Sequence, residues 1–331
     1  MNIAVLGAGA WGTALAVQWS SHHQVTLWGR DAALIRHAQA RRENSQYLPG
    51  ITIPANLTLT DSLDAALHAA EVLILAVPTS ALRNTVASLE QTVCPLIWVS
   101  KGFEHGTCKL PHQIIAEVLP QLTRTGVLSG PSFAQEVAQG HPTALSLASS
   151  DGAFAHQMAT SLSSSHLRIY VNHDLIGVEI GGAVKNVMAI AAGICDGLKL
   201  GHNARAALVT RGLAEMTRLG LRMGGHAETF MGLSGLGDLI LTTTGDLSRN
   251  RQVGLRLSRG EHLETILADL GHVAEGVTTT REVAKLAAEL NVDMPITRGI
   301  CGILYDGVPA AEAVAALLNR EIKAEFESSA A

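Results

Sequence analysis

Residues 2–12 read NIAVLGAGAWG, an apolar run of five residues followed by glycines at positions 7, 9 and 12. A helical pattern comes next, and residues 24–28 then form a second apolar run. In this strand–turn–helix–strand context Gly7 allows the tight turn, Gly9 admits a pyrophosphate to the backbone, and Gly12 lets helix and strand pack closely. The segment therefore predicts a dinucleotide-binding unit, with these three glycines as coenzyme-binding residues.

The rest of the N-terminal half alternates short apolar strands with helical patterns. The predicted helices are residues 80–89 and 111–119, and the predicted strands are residues 72–77, 96–100, 127–128, 144–148 and 167–171. Strands that are buried on both faces have continuous rather than alternating apolar residues. The pattern therefore predicts a parallel sheet that is covered by helices on both sides.

The pattern changes after about residue 172, where strand signals become rare. Helical patterns occupy residues 174–198, 204–223, 261–267, 278–290 and 309–317. We therefore predict an α/β fold in which an N-terminal Rossmann-type parallel sheet is followed by an all-α C-terminal domain. The predicted domains are residues 1–172, which bind NAD(P), and residues 173–331, which bind the substrate and supply the catalytic groups.

Composition and charge exclude several classes of protein. The 331 residues are 47% apolar, yet the most apolar runs, residues 72–77 and 188–195, are far shorter than the roughly 20 residues of a membrane span. The N-terminus lacks the pattern of an export signal and the four cysteines lie far apart, which together predict a cytoplasmic protein. The histidines form no zinc-binding motif, so no metal is expected. A net charge of −5 without a basic tract predicts no nucleic-acid binding.

The end of the second predicted strand bears on the choice between the two nicotinamide coenzymes. An acid at this position contacts the ribose 2′-hydroxyl of NAD, whereas an arginine pairs with the 2′-phosphate of NADP. Arg30 lies at the strand tip, so NADP is expected to bind, and Asp31 follows it. If the strand ends one residue later, Asp31 contacts the ribose, and a solvated loop charge is the alternative for Arg30. The coenzyme preference therefore stays open between NADP and NAD.

Candidate substrate residues follow the ends of the predicted strands, because ligands of an open α/β sheet bind beyond its carboxyl edge. Lys101 emerges directly from the strand at residues 96–100, and Gly130-Pro131-Ser132 follows a later strand. An ammonium group at such a strand end is well placed to meet an anion or a carbonyl. The alternative is an ordinary surface lysine in a loop.

Lys185 is the only cation in a helical stretch of small and apolar residues, 177–193. A lysine in such a helix must extend its ammonium to the surface, pair with an acid or serve a function. Burial and a second cation such as Lys101 lower a lysine pKa toward neutrality, as acid–base catalysis requires. We therefore predict that Lys185 is catalytic.

Two later segments carry polar groups that suit a phosphate or a polyol. The glycine-rich segment 232–238 is predicted to bend the chain and aim Asp238, because no strong strand precedes it as in a phosphate loop. Ser248, Arg249 and Asn250 combine a hydroxyl, a guanidinium and an amide. The alternative for Ser248 is a helix N-cap, and one residue can serve both purposes.

The chain resembles the bacterial NAD(P)-dependent glycerol-3-phosphate dehydrogenases along its whole length. The blocks that support the resemblance are GAGAWGTALA (7–16), LWGRD (27–31), SKG (100–102), LSGPSFAQEV (128–137), EIGGAVKNVMAIAAGICDGL (179–198), GLSGLGDLILT (232–242), SRNRQVG (248–254) and VAEGV (273–277). The resemblance implies an enzyme that interconverts dihydroxyacetone phosphate and sn-glycerol 3-phosphate, which supplies the backbone of phospholipids.

The resemblance also implies roles for individual residues, with Lys185 as the proton acceptor when the alcohol is oxidised. The implied substrate contacts are Lys101, Gly130, Ser132, Lys185, Asp238, Ser248, Arg249 and Asn250. The implied coenzyme contacts are Ala10, Trp11, Arg30, Lys101, Ala134, Arg249, Val273 and Glu275. Members of the family often have Ser in place of Ala10 and Phe or Tyr in place of Trp11. Backbone amides and a flat apolar surface remain here, so the departures affect coenzyme affinity rather than the assignment.

Two rival interpretations remain, one within the enzymes and one from a different class. One is another Rossmann-plus-helical dehydrogenase, acting on a β-hydroxy acid, 6-phosphogluconate or ketopantoate, although segment 248–250 and the GPSFA block favour glycerol 3-phosphate. The other is a non-catalytic dinucleotide sensor, against which the presence of both Lys101 and Lys185 argues. The sequence leaves the oligomeric state open, including a homodimer formed through the helical domain.

Overall fold

The structure is a computed structural model that describes residues 1–89, 92–270 and 274–321. Its strands are β1 (Asn2–Leu6), β2 (Gln24–Trp28), β3 (Thr58–Thr60), β4 (Val72–Leu75), β5 (Leu96–Trp98), β6 (Thr125–Ser129), β7 (Thr143–Ala148) and β8 (Leu167–Asn172). The helices among these strands are α1 (Ala10–Trp19), α2 (Ala32–Arg41), α3 (Leu63–Leu67), α4 (Thr79–Ala87), α5 (Pro111–Val118), α6 (Ala134–Ala138) and α7 (Gly152–Leu162).

The part after β8 is helical in the described ranges. Its elements are α8 (Leu175–Gly197), α9 (Gly201–Arg222), α10 (Ala227–Phe230), a π-helical turn (Leu233–Gly237), α11 (Asp238–Thr244), α12 (Arg249–Leu257), α13 (Leu263–Leu270), α14 (Glu275–Glu289), α15 (Pro295–Tyr305) and α16 (Ala310–Leu318). The predicted fold class, a Rossmann-type sheet followed by helices, is therefore confirmed. The predicted division at residues 172 and 173 stays a prediction.

The eight strands form one sheet in the order β3-β2-β1-β4-β5-β6-β7-β8. Strand β1 lies between β2 and β4, with Leu6 level with Trp28 on one side and Leu75 on the other. The strand order reverses between β1 and β4, so the connections leave a crevice at the carboxyl edge of the sheet. This crevice is where open α/β sheets bind their ligands.

One neighbouring pair of strands departs from the predicted parallel sheet. β7 is antiparallel to β6, whereas every other neighbouring pair in the sheet is parallel. The connection at residues 130–142 contains the short helix α6, which packs against α1. The chain therefore re-enters the sheet at the edge that it left, and β7 must run in the opposite direction.

The two faces of the sheet belong to two separate apolar clusters, as a helix-covered sheet requires. Ile3 and Val5 of β1 lie in the cluster on one face, and Ala4 and Leu6 lie in the cluster on the other. Alternate side chains of a strand point to opposite faces, so a continuous apolar run is buried on both sides. The prediction of helices on both faces is confirmed.

Helix α8 is the central element of the helical part, and every residue from 177 to 195 is buried. Its contact with α12 is backbone to backbone. A Cβ on Gly193 would lie 2.1 Å from the carbonyl oxygen of Arg251, and one on Gly254 would lie 2.0 Å from that of Ile190. This close approach brings the start of α12 beside the middle of α8.

By length and composition α8 is the one helix in the described ranges that could cross a membrane, with a mean hydropathy of 1.5 over its most apolar 18-residue window. However, 89% of that window is buried inside the protein. Burial at this level is typical of the core helix of a folded protein.

Two shorter helices were not among the predicted helical ranges, and the first of them was considered only as the alternative in which Ser248 is an N-cap. Helix α12 begins inside the polar segment that suggested a phosphate site, and α15 begins at Pro295 and contains Gly299 and Gly302. Glycine lowers helix propensity, and Ser and Asn favour caps and turns, so tertiary packing rather than local pattern decides these segments. By contrast, the long apolar pattern at residues 174–198 predicts α8 to within one residue at each end.

Candidate active site

The glycine turn between β1 and α1 leaves no room for two of its missing side chains. Gly7 has a φ of +126°, and a Cβ at this position would lie 2.4 Å from the carbonyl oxygen of Ala76. A Cβ on Gly12 would lie 2.0 Å from the carbonyl oxygen of Gly7. Both positions therefore require glycine for the turn itself.

The third glycine faces open space at the start of α1. A Cβ on Gly9 would have no heavy atom within 4 Å, and Gly9 caps α1 without any side-chain hydrogen bond. Ala10 and Trp11 lie in the first turn of α1. The backbone amides of this turn have no acceptors within the helix and lie at the positive end of its dipole. Ala134 begins α6, which packs against α1. The opening thus fits a dinucleotide pyrophosphate.

A buried asparagine supports this turn from outside the glycine motif. Asn44, which is 2% exposed, donates from Nδ2 to the carbonyl oxygen of Ala8 and to Oγ1 of Thr13, both at 2.9 Å. The sequence does not indicate this role, because Asn44 lies more than 30 positions from Ala8 and Thr13, in a segment without regular periodicity. Only the folded chain brings it to the turn.

The two charged residues after β2 differ in what they contact. Asp31 caps α2, and its Oδ1 accepts from the backbone nitrogens of Ala33 at 2.9 Å and Leu34 at 3.1 Å. Arg30 is exposed beside it. Both capping bonds use Oδ1 and hold the Asp31 side chain against the start of α2, whereas Arg30 is exposed.

Three charged side chains from three elements meet at one point. Nζ of Lys185, on α8, lies 2.5 Å from Oδ1 of Asp238, the first residue of α11. Nζ of Lys101, which follows β5, lies 2.7 Å from Oδ2 of the same carboxylate. Asp238 is 0% exposed and Lys185 7%, whereas Lys101 is half-buried. One buried carboxylate therefore holds two ammonium groups beside each other.

The electrostatics of this cluster suit proton transfer near neutral pH. Burial, with the positive charge of Lys101 adding to it, lowers the pKa of Lys185 from 10.5 to about 8 despite the attraction of Asp238. Burial alone would raise the pKa of Asp238, but the two ammonium groups outweigh it and hold that pKa below its usual value. A buried lysine with a pKa near 8 exchanges its proton readily at physiological pH.

A hydroxyl of α11 was missed as part of this cluster. Oγ1 of Thr242 accepts from Nζ of Lys185 at 2.9 Å and lies 3.3 Å from Oδ1 of Asp238. Thr242 follows Asp238 by four residues, so both lie on the same face of the helix. That spacing was visible in the sequence once Asp238 had been selected.

The chain after β6 borders the cluster through its backbone. Nζ of Lys101 donates to the carbonyl oxygen of Gly130 at 3.4 Å, and Oγ of Ser132 donates to the same oxygen at 3.0 Å. Gly130 has a φ of +145°, a conformation that other residues rarely adopt. The predicted residues Lys101, Gly130 and Ser132 therefore lie together.

The start of α12 is tied to α8 and α14 by side-chain amides. Ser248 is the N-cap, and its Oγ accepts from the backbone nitrogen of Arg251 at 3.3 Å, which confirms the capping alternative. Asn250 donates from Nδ2 to Oδ1 of Asn186 at 3.0 Å. Its own Oδ1 accepts from the backbone nitrogen of Gly276 at 3.0 Å. Asn186 follows Lys185 directly, so these bonds bring segment 248–250 to the lysine.

Two further predicted residues lie at the rim of this group. Arg249, the first residue of α12, is exposed, and Glu275 begins α14. Burial raises the pKa of Glu275, and the charge of Arg249 is the strongest influence opposing that shift. The predicted contact Val273 lies outside the described residues.

The glycine turn, its uncapped helix and the paired lysines at the carboxyl edge of the sheet are features of a dinucleotide-dependent dehydrogenase. Comparisons with known proteins narrow this class. Residues 2–155 match the family model for the N-terminus of NAD-dependent glycerol-3-phosphate dehydrogenase, and residues 174–315 match the model for its C-terminus. The chain belongs to the NAD-dependent glycerol-3-phosphate dehydrogenase family.

Individual relatives agree over nearly the full length. The chain is 65% identical to glycerol-3-phosphate dehydrogenase [NAD(P)+] of Thiobacillus denitrificans, covering 98% of this chain and 100% of the relative. It is 56% identical to the protein of that name from Nitrosospira multiformis, again over 98% and 100%. The crystal structure of glycerol-3-phosphate dehydrogenase from Coxiella burnetii superposes with a TM-score of 0.92 at 41% identity, covering 96% of this chain and 99% of that one.

Proposed function

We propose that the chain catalyses the reversible, NAD(P)H-dependent reduction of dihydroxyacetone phosphate to sn-glycerol 3-phosphate. The observation that supports this most directly is the buried Lys185 ammonium on Asp238, with Lys101 on the other carboxylate oxygen. Such a pair supplies a proton donor and a second positive charge to one carbonyl oxygen. The relatives described above bear the corresponding name.

The coenzyme, when bound, supplies the hydride, which adds to C2 of the ketone. Lys185 then donates a proton from its ammonium to the oxygen on C2, so the ketone gains one hydride and one proton. The oxidation of the alcohol reverses both transfers, and the neutral amine of Lys185 accepts the hydroxyl proton. Lys101 polarises the same oxygen and stabilises its developing negative charge. Asp238 keeps the two ammonium groups together and aligned.

The start of α12 is the proposed phosphate site. The exposed guanidinium of Arg249 supplies the charge, and the hydroxyl of Ser248 retains its own hydrogen for donation while its oxygen caps the helix. Asn250 is engaged at both ends of its amide, which leaves one N–H for the ligand. Binding energy from the phosphate, which does not react, can orient the reacting C2.

The turn and helix start after β1 are the proposed coenzyme site. Backbone amides at Gly9, Ala10 and Trp11 hold the pyrophosphate, and Arg30 meets the 2′-phosphate of NADP(H). Lys101, Ala134, Arg249, Val273 and Glu275 complete the proposed coenzyme contacts. Because Asp31 is held against the start of α2 while the Arg30 beside it is exposed, we propose that NADPH binds more tightly than NADH.

We further propose a cytoplasmic location, residues 1–172 and 173–331 as the coenzyme-binding and substrate-binding domains, and the supply of glycerophospholipid backbones as the role of the product. The experiment that tests the proposed reaction is spectrophotometric oxidation of NADPH and NADH by the purified chain with dihydroxyacetone phosphate or ketopantoate. Turnover with the phosphorylated ketone supports the proposal. Coenzyme binding without turnover, or turnover with ketopantoate alone, contradicts it.

A further inference from the structure

A buried carboxylate on α8 is separate from the lysine–aspartate cluster. Glu179 precedes Lys185 by six residues, and its side chain is 1% exposed. Its Oε1 accepts from Nε1 of Trp98 at 2.8 Å and from the backbone nitrogen of His112 at 2.9 Å. Its Oε2 is hydrogen-bonded to Nδ1 of His112. Both carboxylate oxygens and three polar groups of Trp98 and His112 are thus hydrogen-bonded to one another around a buried side chain.

The two partners of Glu179 flank the segment that contains Lys101. Trp98 is the last residue of β5 and His112 is the second residue of α5. The segment at residues 99–111 leaves the sheet after Trp98, presents Lys101 and returns at His112. A single carboxylate therefore closes this segment at both ends, and it does so from the helix that bears Lys185.

We infer that Glu179 is a positioning residue that holds the Lys101 segment in register with the Lys185 helix. The inference rests on the proposed function, because it assigns Glu179 to the two lysines of that reaction. Glu179 touches neither lysine, so it acts through the backbone of β5, α5 and α8.

Two further anchors of the segment lead to α4 and α14. Oγ1 of Thr79, on α4, donates to the carbonyl oxygen of Lys101 at 3.0 Å. Glu282, on α14, is bonded to Nδ1 of His105 at 2.8 Å and to Sγ of Cys108 at 3.1 Å. These contacts fix the middle of the segment, whereas Glu179 ties its ends to α8.

Burying a carboxylate at this position costs desolvation free energy, and a positioning role explains why a carboxylate is nevertheless present. Burial raises the pKa of Glu179, which shows that the charged form is disfavoured by its surroundings. Replacing a buried charge and its partners by apolar residues is often neutral or stabilising. However, hydrogen bonds from β5 and α5 to one carboxylate fix the relative positions of these two elements and α8 more specifically than apolar packing would.

The arrangement of Lys101 and Lys185 around Asp238 tolerates little displacement. The two Nζ atoms lie 2.5 and 2.7 Å from separate oxygens of Asp238. A displacement of about 1 Å in a catalytic group costs up to roughly 100-fold in rate. Loosening the ends of the Lys101 segment is therefore expected to lower kcat without removing any group that touches the substrate.

The test compares Glu179→Gln with Glu215→Gln as a matched control. Glu215 is also a buried carboxylate with three donors, accepting from the backbone nitrogens of Ile296 at 2.6 Å and Thr297 at 3.1 Å and from Oγ1 of Thr297 at 3.0 Å. It joins α9 to α15. Both substitutions replace a buried carboxyl group by an amide, but only one lies beside the Lys101 segment.

We expect Glu179→Gln to lower kcat about 10- to 100-fold, with a larger primary isotope effect from C4-deuterated NADPH and little change in the Kd for coenzyme. Glu215→Gln is expected to keep both the kcat and the isotope effect of the wild type. Amide hydrogen exchange should accelerate in residues 99–111 of the first variant and in residues 295–305 of the second. The exchange measurement requires no turnover.

A pair of substitutions at the partly exposed His112 covers the case in which Glu179→Gln does not fold. His112→Ala removes the side-chain donor and should lower kcat several-fold, and His112→Asn should restore most of the loss by placing an amide N–H near the former Nδ1.

Equal losses of kcat in the two glutamine variants, or wild-type kcat and exchange in Glu179→Gln, would overturn the inference. A wild-type chain that does not reduce dihydroxyacetone phosphate would refute the proposed reaction instead, and the exchange data would still decide whether Glu179 anchors the segment.

Discussion

The coenzyme turn and the lysine cluster are both needed for the proposed reaction, but they are built in opposite ways. The turn is formed by 11 consecutive residues, 2–12, and its chemistry comes from backbone amides and missing side chains. The cluster combines Lys101 from the segment after β5, Lys185 from α8 and Asp238 from α11, across as many as 137 positions of the chain. Coenzyme binding at the turn should therefore be sensitive to added side-chain atoms. Catalysis at the cluster should be sensitive to the loss of a charge and to movement of one element relative to another.

The largest effect is expected where the cluster loses its proton donor. Lys185→Met keeps an unbranched side chain in the core of α8 but removes the ammonium, so kcat should fall by about 10²–10⁴-fold. The Kd for NADPH should change little, because the coenzyme turn is untouched. Steady-state kinetics and fluorescence titration measure the two quantities. Lys199→Met, at an exposed position just after α8, is the control, and a kcat close to that of the wild type in Lys185→Met would remove this residue from the mechanism.

Substrate affinity should respond next, at the start of α12. Arg249→Ala removes charge-assisted hydrogen bonds to phosphate that are worth about 1.5–3 kcal/mol, so KM for dihydroxyacetone phosphate should rise roughly 10- to 100-fold. Because Arg249 is also a proposed coenzyme contact, the KM for NADPH is measured in parallel. Arg259→Ala, at an exposed position beyond the end of α12, should leave both values unchanged. An unaltered KM for the ketone in Arg249→Ala would exclude this residue from the phosphate site.

The turn can be probed without disturbing the fold. Gly9→Ala adds a methyl group to open space, so the free energy of unfolding should stay nearly constant, while crowding against the pyrophosphate should weaken NADPH binding by about 1–3 kcal/mol. Calorimetry gives both values. Gly12→Ala is the contrasting variant, since its Cβ meets a backbone oxygen at 2.0 Å and should destabilise the protein itself. Equal coenzyme affinity in Gly9→Ala and wild type would show that the pyrophosphate lies elsewhere.

The smallest effect is expected at the exposed end of β2. An ion pair between Arg30 and a 2′-phosphate in solvent is worth about 0.2–1 kcal/mol, so Arg30→Ala should weaken NADPH only a few-fold and leave NADH unchanged. The ratio of the two Kd values measures this directly. Arg36→Ala, at an exposed position on α2, is the control. A loss of equal size for the two coenzymes would show that Arg30 does not distinguish them.

The contrast between a local turn and a cluster assembled from distant elements explains which features could be predicted from the sequence. The turn was predictable because glycine spacing and a flanking strand are local, and α8 was predictable because its apolar pattern is long. The antiparallel β7 was not, since strand direction depends on α6 packing against α1 at one edge of the sheet. The roles of Asn44 and Glu179 were not predictable either, because the hydrogen-bond partners of both residues are distant in sequence and meet them only in the folded chain. Lys101, Lys185 and Asp238 could be named one by one, but their shared contact is a property of three packed elements.

The central claim is that the amine of Lys185 exchanges the proton, and the pH dependence of the two directions tests it most directly. With a pKa of about 8, the group is an ammonium below that pH and a neutral amine above it. The kcat/KM for ketone reduction, which reports the groups of the substrate-free enzyme, should therefore fall as the pH rises through about 8. The kcat/KM for alcohol oxidation should rise over the same interval, and both pH dependences should disappear in the residual activity of Lys185→Met. pH dependences that persist in that variant, or that run in the same direction for both reactions, would contradict the account.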